Sequence, residues 1–162
     1  MSRIFIRFAT PRDAQRLVHD KVFTGTPAAG EAWEGRIAKW LAEQQAGRRV
    51  ILIAEDASGL LGSVQLVFKF PPGYSDPEAA NGVDVAMIES LRTRAGAPAP
   101  LLEQLVNDAQ VVAKKKRIRT LTFCIPMNNE HGIIQARAWG FTEFRIMPEP
   151  TKMLAFFRKQ IG

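Results

Sequence analysis

The 162-residue chain has one cysteine, two histidines and one tyrosine. The single cysteine, Cys124, excludes an intramolecular disulfide framework. With two histidines it forms no Cys/His cluster at zinc spacing, so no structural metal is expected. The longest apolar runs are strand-length, far short of the roughly 20 residues a membrane-spanning helix needs. The opening MSRIFIRFATPRD has no extended apolar stretch behind its basic residue and no small-residue cleavage pattern, and so does not read as a signal peptide. A soluble protein of the reducing cytoplasm is the expectation. No internal repeat or linker interrupts the chain.

What is present points to one globular domain spanning residues 1–162. A chain of this length with 46% hydrophobic residues can bury a sizeable core. Twenty-two Lys and Arg against sixteen Asp and Glu leave a net charge of +6, which favours acidic partners: a nucleotide-bearing cofactor, nucleic acid or an anionic surface.

Residues 4–8 alternate as a half-buried strand does, and Thr10-Pro11 then supplies a helix N-cap followed by proline at the first helical position. That helix turns Ala14, Leu17, Val18 and Val22 inward, until GTPAAG (25–30) breaks it. A second helix carries Trp33, Ile37, Trp40 and Leu41 at helical spacing, a stripe that reads as core. RVILIAE (49–55) is a strand, DASG (56–59) a turn, and 60–70 the return strand of a hairpin. The polar loop PPGYSDPEAANG (71–82) overhangs the surface. A strand over 83–88 leads into TRAGAPAP (93–100), and a helix over 100–115 places Leu101, Leu102, Leu105, Val106, Ala109, Val112 and Ala113 on one face. Its terminal KKKR suits the negative end of the helix dipole and reads as a solvated helix end. Strand 119–125, helix 130–139 and strands 141–146 and 153–157 complete the chain.

This order, with a glycine-containing turn after the fourth strand, resembles the GNAT superfamily of acyl-CoA N-acyltransferases over nearly the whole length. FIRFAT followed by Asp13 is similar to the family's opening strand and helix start, and Leu61-Gly62-Ser63-Val64 to its third strand. Asn129 and Gly140-Phe141 stand at the spacing of the family's Asn and GF signature. The resemblance implies an α/β (α+β) fold: a central, mixed but mostly antiparallel twisted sheet of about seven strands, flanked by about four helices in the order β-α-α-β-β-β-α-β-α-β-β.

TRAGAPAP then falls on the family's acetyl-CoA loop, Arg/Gln-x-x-Gly-x-Gly/Ala. Aligned on the leucines of the following helix, Thr93 takes the Arg/Gln place, Gly96 the first glycine and Pro98 the second. Sliding by one residue restores Arg94 to the first place but puts Ala97 and Ala99 in the glycine places and breaks the helix register. Such a loop works through converging N–H groups and small residues that let the backbone approach a pyrophosphate. Arg94, Ala95, Gly96, Ala97 and Ala99 are therefore the expected phosphate-end contacts, with Arg92 and Arg94 as compensating charges, while Pro98 and Pro100 each lack a donor. A rigid turn without ligand is the competing reading.

By the same resemblance Ala86, Met87 and Ile88 present backbone groups to the pantetheine arm of acetyl-CoA, where the fourth strand splays from the fifth. Asn129 lies near that arm, caps the last helix, or does both. Asp84 and Glu89, which bracket the strand, are the candidate general bases. The family's acid tyrosine is replaced by Ala136. Cys124 reads as a buried structural thiol, His131 as a solvated residue of a helix's first turn, and nothing in the sequence brings Tyr74 to the sulfur. Trp33, Glu34, Tyr74 and Asp76, which could suit a cationic amine, read as packing and solvent-facing residues.

The implied activity is transfer of acetyl from acetyl-CoA to a primary amine of a small molecule or protein by direct attack, in a monomer or homodimer without metal or membrane. The alternative is a catalytically inactive GNAT-fold module that binds CoA or another ligand. Nucleic-acid binding rests on charge alone, since the chain lacks interleaved aromatics and a DNA-reading helix.

Overall fold

The computed structural model describes residues 3–27, 30–150 and 152–162. Ala28 and Ala29 of the expected break, with Met1 and Ser2, lie outside them. The elements are β1 (Phe5–Phe8), α1 (Asp13–His19), α2 (Trp33–Gln45), β2 (Arg49–Asp56), β3 (Gly59–Val67), β4 (Val85–Thr93), α3 (Leu101–Lys115), β5 (Thr120–Pro126), α4 (Glu130–Ala138), β6 (Thr142–Pro148) and β7 (Met153–Gln160). The expected order is observed. The seven strands form one open sheet in the order β1-β2-β3-β4-β5-β7-β6. Pairing is antiparallel for β1 with β2, β5 with β7 and β6 with β7. β4 and β5 are parallel, an arrangement that needs a long crossover, which α3 supplies.

The boundaries differ from expectation where polar residues carry the structure. β4 starts at Val85 because Asn81 Oδ1 accepts the N–H groups of Val83, Asp84 and Val85 at 2.9, 2.9 and 3.0 Å, fixing 81–84 as a turn. It then runs through the polar ESLRT to Thr93. β7 likewise continues to Gln160, which pairs with Thr120. α1 starts at Asp13 rather than Pro11, yet Asp13 Oδ2 accepts the Thr10 N–H at 2.7 Å, so Thr10 and Asp13 close the helix start as a capping box does.

The chain divides into two compact units, residues 1–65 with 90–109, and residues 66–89 with 110–162. In the first, Leu17, Phe23, Ile37, Ile51, Ile53 and Leu60 are almost fully buried in one cluster with Trp33 and Leu41, as the helical stripes predict. Each such side chain contributes roughly 1.5–3 kcal/mol on burial. Gln44 Nε2 donates to Ala9 O at 2.9 Å while its Oε1 accepts the Ile51 N–H at 2.7 Å, tying α2 to the ends of β1 and β2.

Beneath α1, the buried Asp13 receives two hydrogen bonds from Arg7, at 2.8 and 3.0 Å. Burial pushes its pKa up, but the bonds from Arg7 and Thr10 outweigh that and hold it below the ordinary value.

In the second unit, Gly140 has φ +92, and the N–H of Phe141 bonds to Ala136 O at 3.0 Å. This is the Schellman termination that favours glycine. Phe141, 1% exposed, meets Phe123 edge-on, which gives the GF pair its physical reason. The loop 71–82 does not float. Arg145 of β6 donates to Asp76 at 2.5 and 3.0 Å and to Glu78 at 2.9 Å, and Thr122 of β5 donates to Ala79 O at 2.7 Å.

Candidate functional site

Within the first unit, the segment after β4 forms a tight turn before α3. The Ala97 N–H bonds to Arg94 O at 3.2 Å, and Gly96 has φ +84, the left-handed third position of a type II turn that glycine occupies without strain. The prolines contribute carbonyls instead of donors: Pro98 O accepts the Leu101 N–H at 3.0 Å and Pro100 O the Gln104 N–H at 3.1 Å. Among the described residues, the N–H groups of Ala95, Gly96, Ala99, Leu102 and Glu103 make no backbone hydrogen bond. The donor set therefore differs from the expected one: Ala97 is spent inside the turn, and the first turn of α3 adds two. A Cβ built on Gly96 would meet nothing within 4 Å, so φ and not crowding is what favours glycine there.

The strand feeding this turn is seated on Gly62 of β3. A Cβ there would lie 2.8 Å from Arg92 O and 3.2 Å from Leu105 Cδ1, closer than real contacts allow, so any larger residue would displace the end of β4. Arg94 N–H bonds to Leu61 O at 2.9 Å, and its Nη2 donates to Ser58 at 2.5 Å. Arg94 is thus committed to the β2–β3 turn. The Arg92 guanidinium lies 4.9 Å from the Phe23 ring centroid and 4.8 Å from that of Trp33.

Within the second unit, parallel pairing of β4 with β5 runs from Val85 and Thr120 to Ile88 and Phe123 and stops there, although both strands continue. Ala86, Met87 and Ile88, the residues expected at a splay, all lie within the paired stretch. Ala86 and Ile88 are buried on one face, and Met87 and Glu89 are half-buried. Glu89 follows the last pair and has a partner. Asp84 is at the opposite end of that pairing, where its Oδ1 accepts from Asn81 at 2.8 Å. Five residues of extended chain put the two Cα atoms about 16 Å apart, and their odd spacing sends the side chains to opposite faces, so the two do not serve one reaction centre together.

Asn129 caps α4: its Oδ1 accepts the Gly132 N–H at 3.0 Å, and a Cβ on Gly132 would lie 2.6 Å from Asn129 Nδ2. We expect Asn129→Ala to lower stability by about 1 kcal/mol in chemical denaturation. An unchanged midpoint would remove the cap from this account.

Ala136 is fully buried and carries no proton donor. His131 is exposed. Burial pushes the Cys124 thiol up to about 11, leaving negligible thiolate at neutral pH. Tyr74 packs edge-on against Phe70 at 4.8 Å.

No helix among the described residues is long and apolar enough to cross a membrane, and none of them form a group of three or more His, Cys, Asp or Glu that could hold a metal ion.

No protein-family profile matches the chain, and no curated protein matches its sequence. Solved structures do. An N-acetyltransferase from Staphylococcus aureus superposes with a TM-score of 0.74 at 22% identity, over 99% of this chain and 100% of that one. An acetyltransferase of the GNAT family from Streptococcus pneumoniae gives 0.72 at 16% identity, over 99% and 100%. A candidate acetyltransferase from Salmonella typhimurium, solved with its cofactor acetyl-CoA, gives 0.71 at 17% identity, over 98% and 94%. The chain has the fold of the GNAT acetyltransferases.

Proposed function

We propose that the protein is an acyl-CoA-dependent N-acetyltransferase that acetylates a primary amine. The observation that carries this reading is the β4–α3 turn of a GNAT fold, in which the N–H groups of Ala95, Gly96, Ala99, Leu102 and Glu103 make no backbone hydrogen bond and belong to exposed or half-buried residues. Small residues and orphan donors at a helix start suit a pyrophosphate, so this turn is assigned the phosphate end of acetyl-CoA. Arg94 orders the turn through Ser58. Backbone groups at the end of the β4–β5 pairing, Ala86, Met87 and Ile88, are assigned the pantetheine arm. The Asn129 amide NH2 is assigned to the same arm, its oxygen being held by the cap.

When bound, acetyl-CoA supplies an activated acyl group: the acceptor nitrogen gains acetyl and loses one proton, and the C–S bond opens to free thiol. Glu89 is assigned the general base that takes the amine proton, and Asp84 the ordering of the turn before β4. No side chain at position 136 can protonate the departing thiolate. A thiolate is a tolerable leaving group, and water completes the proton balance.

The test is thermal denaturation with acetyl-CoA, with CoA and with a short DNA duplex, followed by thiol release across a panel of amines. A ligand that binds the folded state at a hundred times its Kd stabilises by about 2.7 kcal/mol. We expect a rise in Tm with both CoA species and amine-dependent thiol release. No rise at millimolar concentration overturns the reading. A rise without turnover favours the non-catalytic module, to which the buried Ala136 points. Salt-sensitive stabilisation by the duplex alone would favour nucleic-acid binding.

A further inference from the structure

Residues 110–120 of the second unit read QVVAKKKRIRT, and no Asp or Glu occurs between Asp108 and Glu130. Lys114, Lys115, Lys116, Arg117 and Arg119 are all exposed. None of them forms an ion pair with a carboxylate among the described residues. The helix dipole accounts for cations in the last turn of α3, Lys114 and Lys115. Three more follow beyond the helix end. Asp84 borders the run, since its carbonyl accepts the N–H groups of Arg119 and Thr120 at 2.8 and 3.1 Å, but its carboxylate is engaged by Asn81.

The backbone that presents these cations is fixed. The Ile118 N–H bonds to Ala113 O and the Arg117 N–H to Lys114 O, both at 3.0 Å, which is the paired closure of a Schellman motif. Ile118 is 4% exposed and anchors the chain inward just after it. Arg117 stands at the left-handed position of the motif with φ +62, where glycine sits without strain. Nothing in the turn requires a side chain there, and the one it carries adds a fourth consecutive charge to the surface.

We infer that this run is a docking surface for double-stranded nucleic acid, held through its phosphate backbone. A duplex carries one negative charge per about 1.7 Å of its axis, so a cluster of unpaired Lys and Arg meets several phosphates at once, and Arg adds bidentate contacts. The exposed apolar residues bordering the run are Val83 and Val111, whereas a segment that adsorbs to a bilayer brings large apolar side chains to the surface. Residues 110–120 hold no aromatic side chain on which unpaired bases could stack, which selects a duplex over a single strand. Such contacts position the duplex without reading its sequence. α3 is about 22 Å long, so the run is set apart from the turn at the helix's other end. The inference does not rest on the transferase reading.

The experiment follows fluorescence anisotropy of a labelled duplex of about twenty base pairs, as DNA and as RNA, titrated with the full chain between about 50 and 200 mM salt. Phosphatidylserine vesicles and polyglutamate are titrated in parallel. Five neutralised phosphates predict a slope of log K on log salt of about −4.5, an affinity loss of about five-hundredfold over that range. Lys115→Ala combined with Arg117→Gly should bring the slope to about −2.7. The thermal midpoint should stay the same or rise, because glycine suits φ +62. Arg12→Ala combined with Lys39→Ala removes the same charge from exposed positions elsewhere and should leave the slope as it was.

Absence of duplex binding at the lowest salt overturns the inference. So does an equal loss of slope in the two double variants, because net charge is then the cause. Binding of vesicles or of polyglutamate as tightly as the duplex also overturns it, and assigns the surface to a membrane or to an acidic protein. Duplex binding that persists in saturating acetyl-CoA upholds a separate surface, whereas displacement by acetyl-CoA places the anion site at the β4–α3 turn and overturns it. Failure of acetyl-CoA to bind would sink the transferase reading and leave this inference to the duplex titration.

Discussion

Glu89→Gln is expected to lower kcat/KM about a hundred- to ten-thousandfold, the usual contribution of a positioned general base, while acetyl-CoA still binds and the protein still folds. Glutamine keeps the shape and hydrogen-bonding reach of the side chain but cannot accept the amine proton. The deficit should shrink as pH rises, because more of the acceptor arrives already deprotonated. Glu89 is chosen over Asp84 by position. It follows the last β4–β5 pair, Ile88 with Phe123, whereas Asp84 is tied to Asn81 at the far end of the strand. Asp84→Asn should therefore leave turnover nearly intact. Normal turnover in Glu89→Gln would remove the base from this position, and a pH-independent loss would show that Glu89 serves structure.

The second large effect concerns stability. Asp13→Ala leaves Arg7 without the two bonds that pair it to a carboxylate 1% exposed. Breaking a buried pair from one side costs about 3–5 kcal/mol. The Arg7 side chain is 33% exposed and keeps its bond to Glu55 at 2.6 Å, so water and Glu55 recover part of the loss and about 2 kcal/mol is expected by urea denaturation. A loss under about 1 kcal/mol would show that the pair is no more than a surface contact.

The pH dependence follows from the sign of the shift. The folded Asp13 pKa lies below its ordinary value of 3.8, so its contribution is fully present above that value and is lost as pH falls through the folded one. Glu55, lowered chiefly by its hydrogen bond from Arg7, adds to the same acid limb. Stability of the unaltered protein should thus fall below about pH 4, and the Asp13→Ala variant should fall less steeply over that range.

The order of elements was legible because apolar periodicity carried it. Trp33, Ile37 and Leu41 announce one helix face, 49–55 a strand, and the apolar face of α3 its crossover. Gly140-Phe141 was legible only as the GF signature of the resemblance; that it ends α4 with φ +92 at the glycine, which few other residues accept, came from the structure. Strand ends were hidden where ESLRT and RKQ are polar, because their pairing is decided by neighbouring strands and leaves no local pattern.

In the candidate site, the turn's location could be read from Gly96 and the leucines after it, but its donor set could not. Whether the Ala97 N–H points outward depends on the turn closing onto Arg94 O. Arg92 was legible only as a charge near the loop. Its meeting with Phe23 and Trp33 joins residues some sixty to seventy positions apart, and only the alternation along β4 hints at which side it faces. The Arg7–Asp13 pair left a fainter signal, an acidic residue three after the Thr10 cap.

The central claim, that the β4–α3 turn still holds the phosphate end of acetyl-CoA, is tested most directly by following backbone amide NMR signals during titration with acetyl-CoA. The account predicts large, saturable shifts for Ala95, Gly96, Ala99, Leu102 and Glu103, with a smaller one for Ala97, whose N–H is already bonded to Arg94 O. Saturation that leaves those five amides unmoved would contradict it.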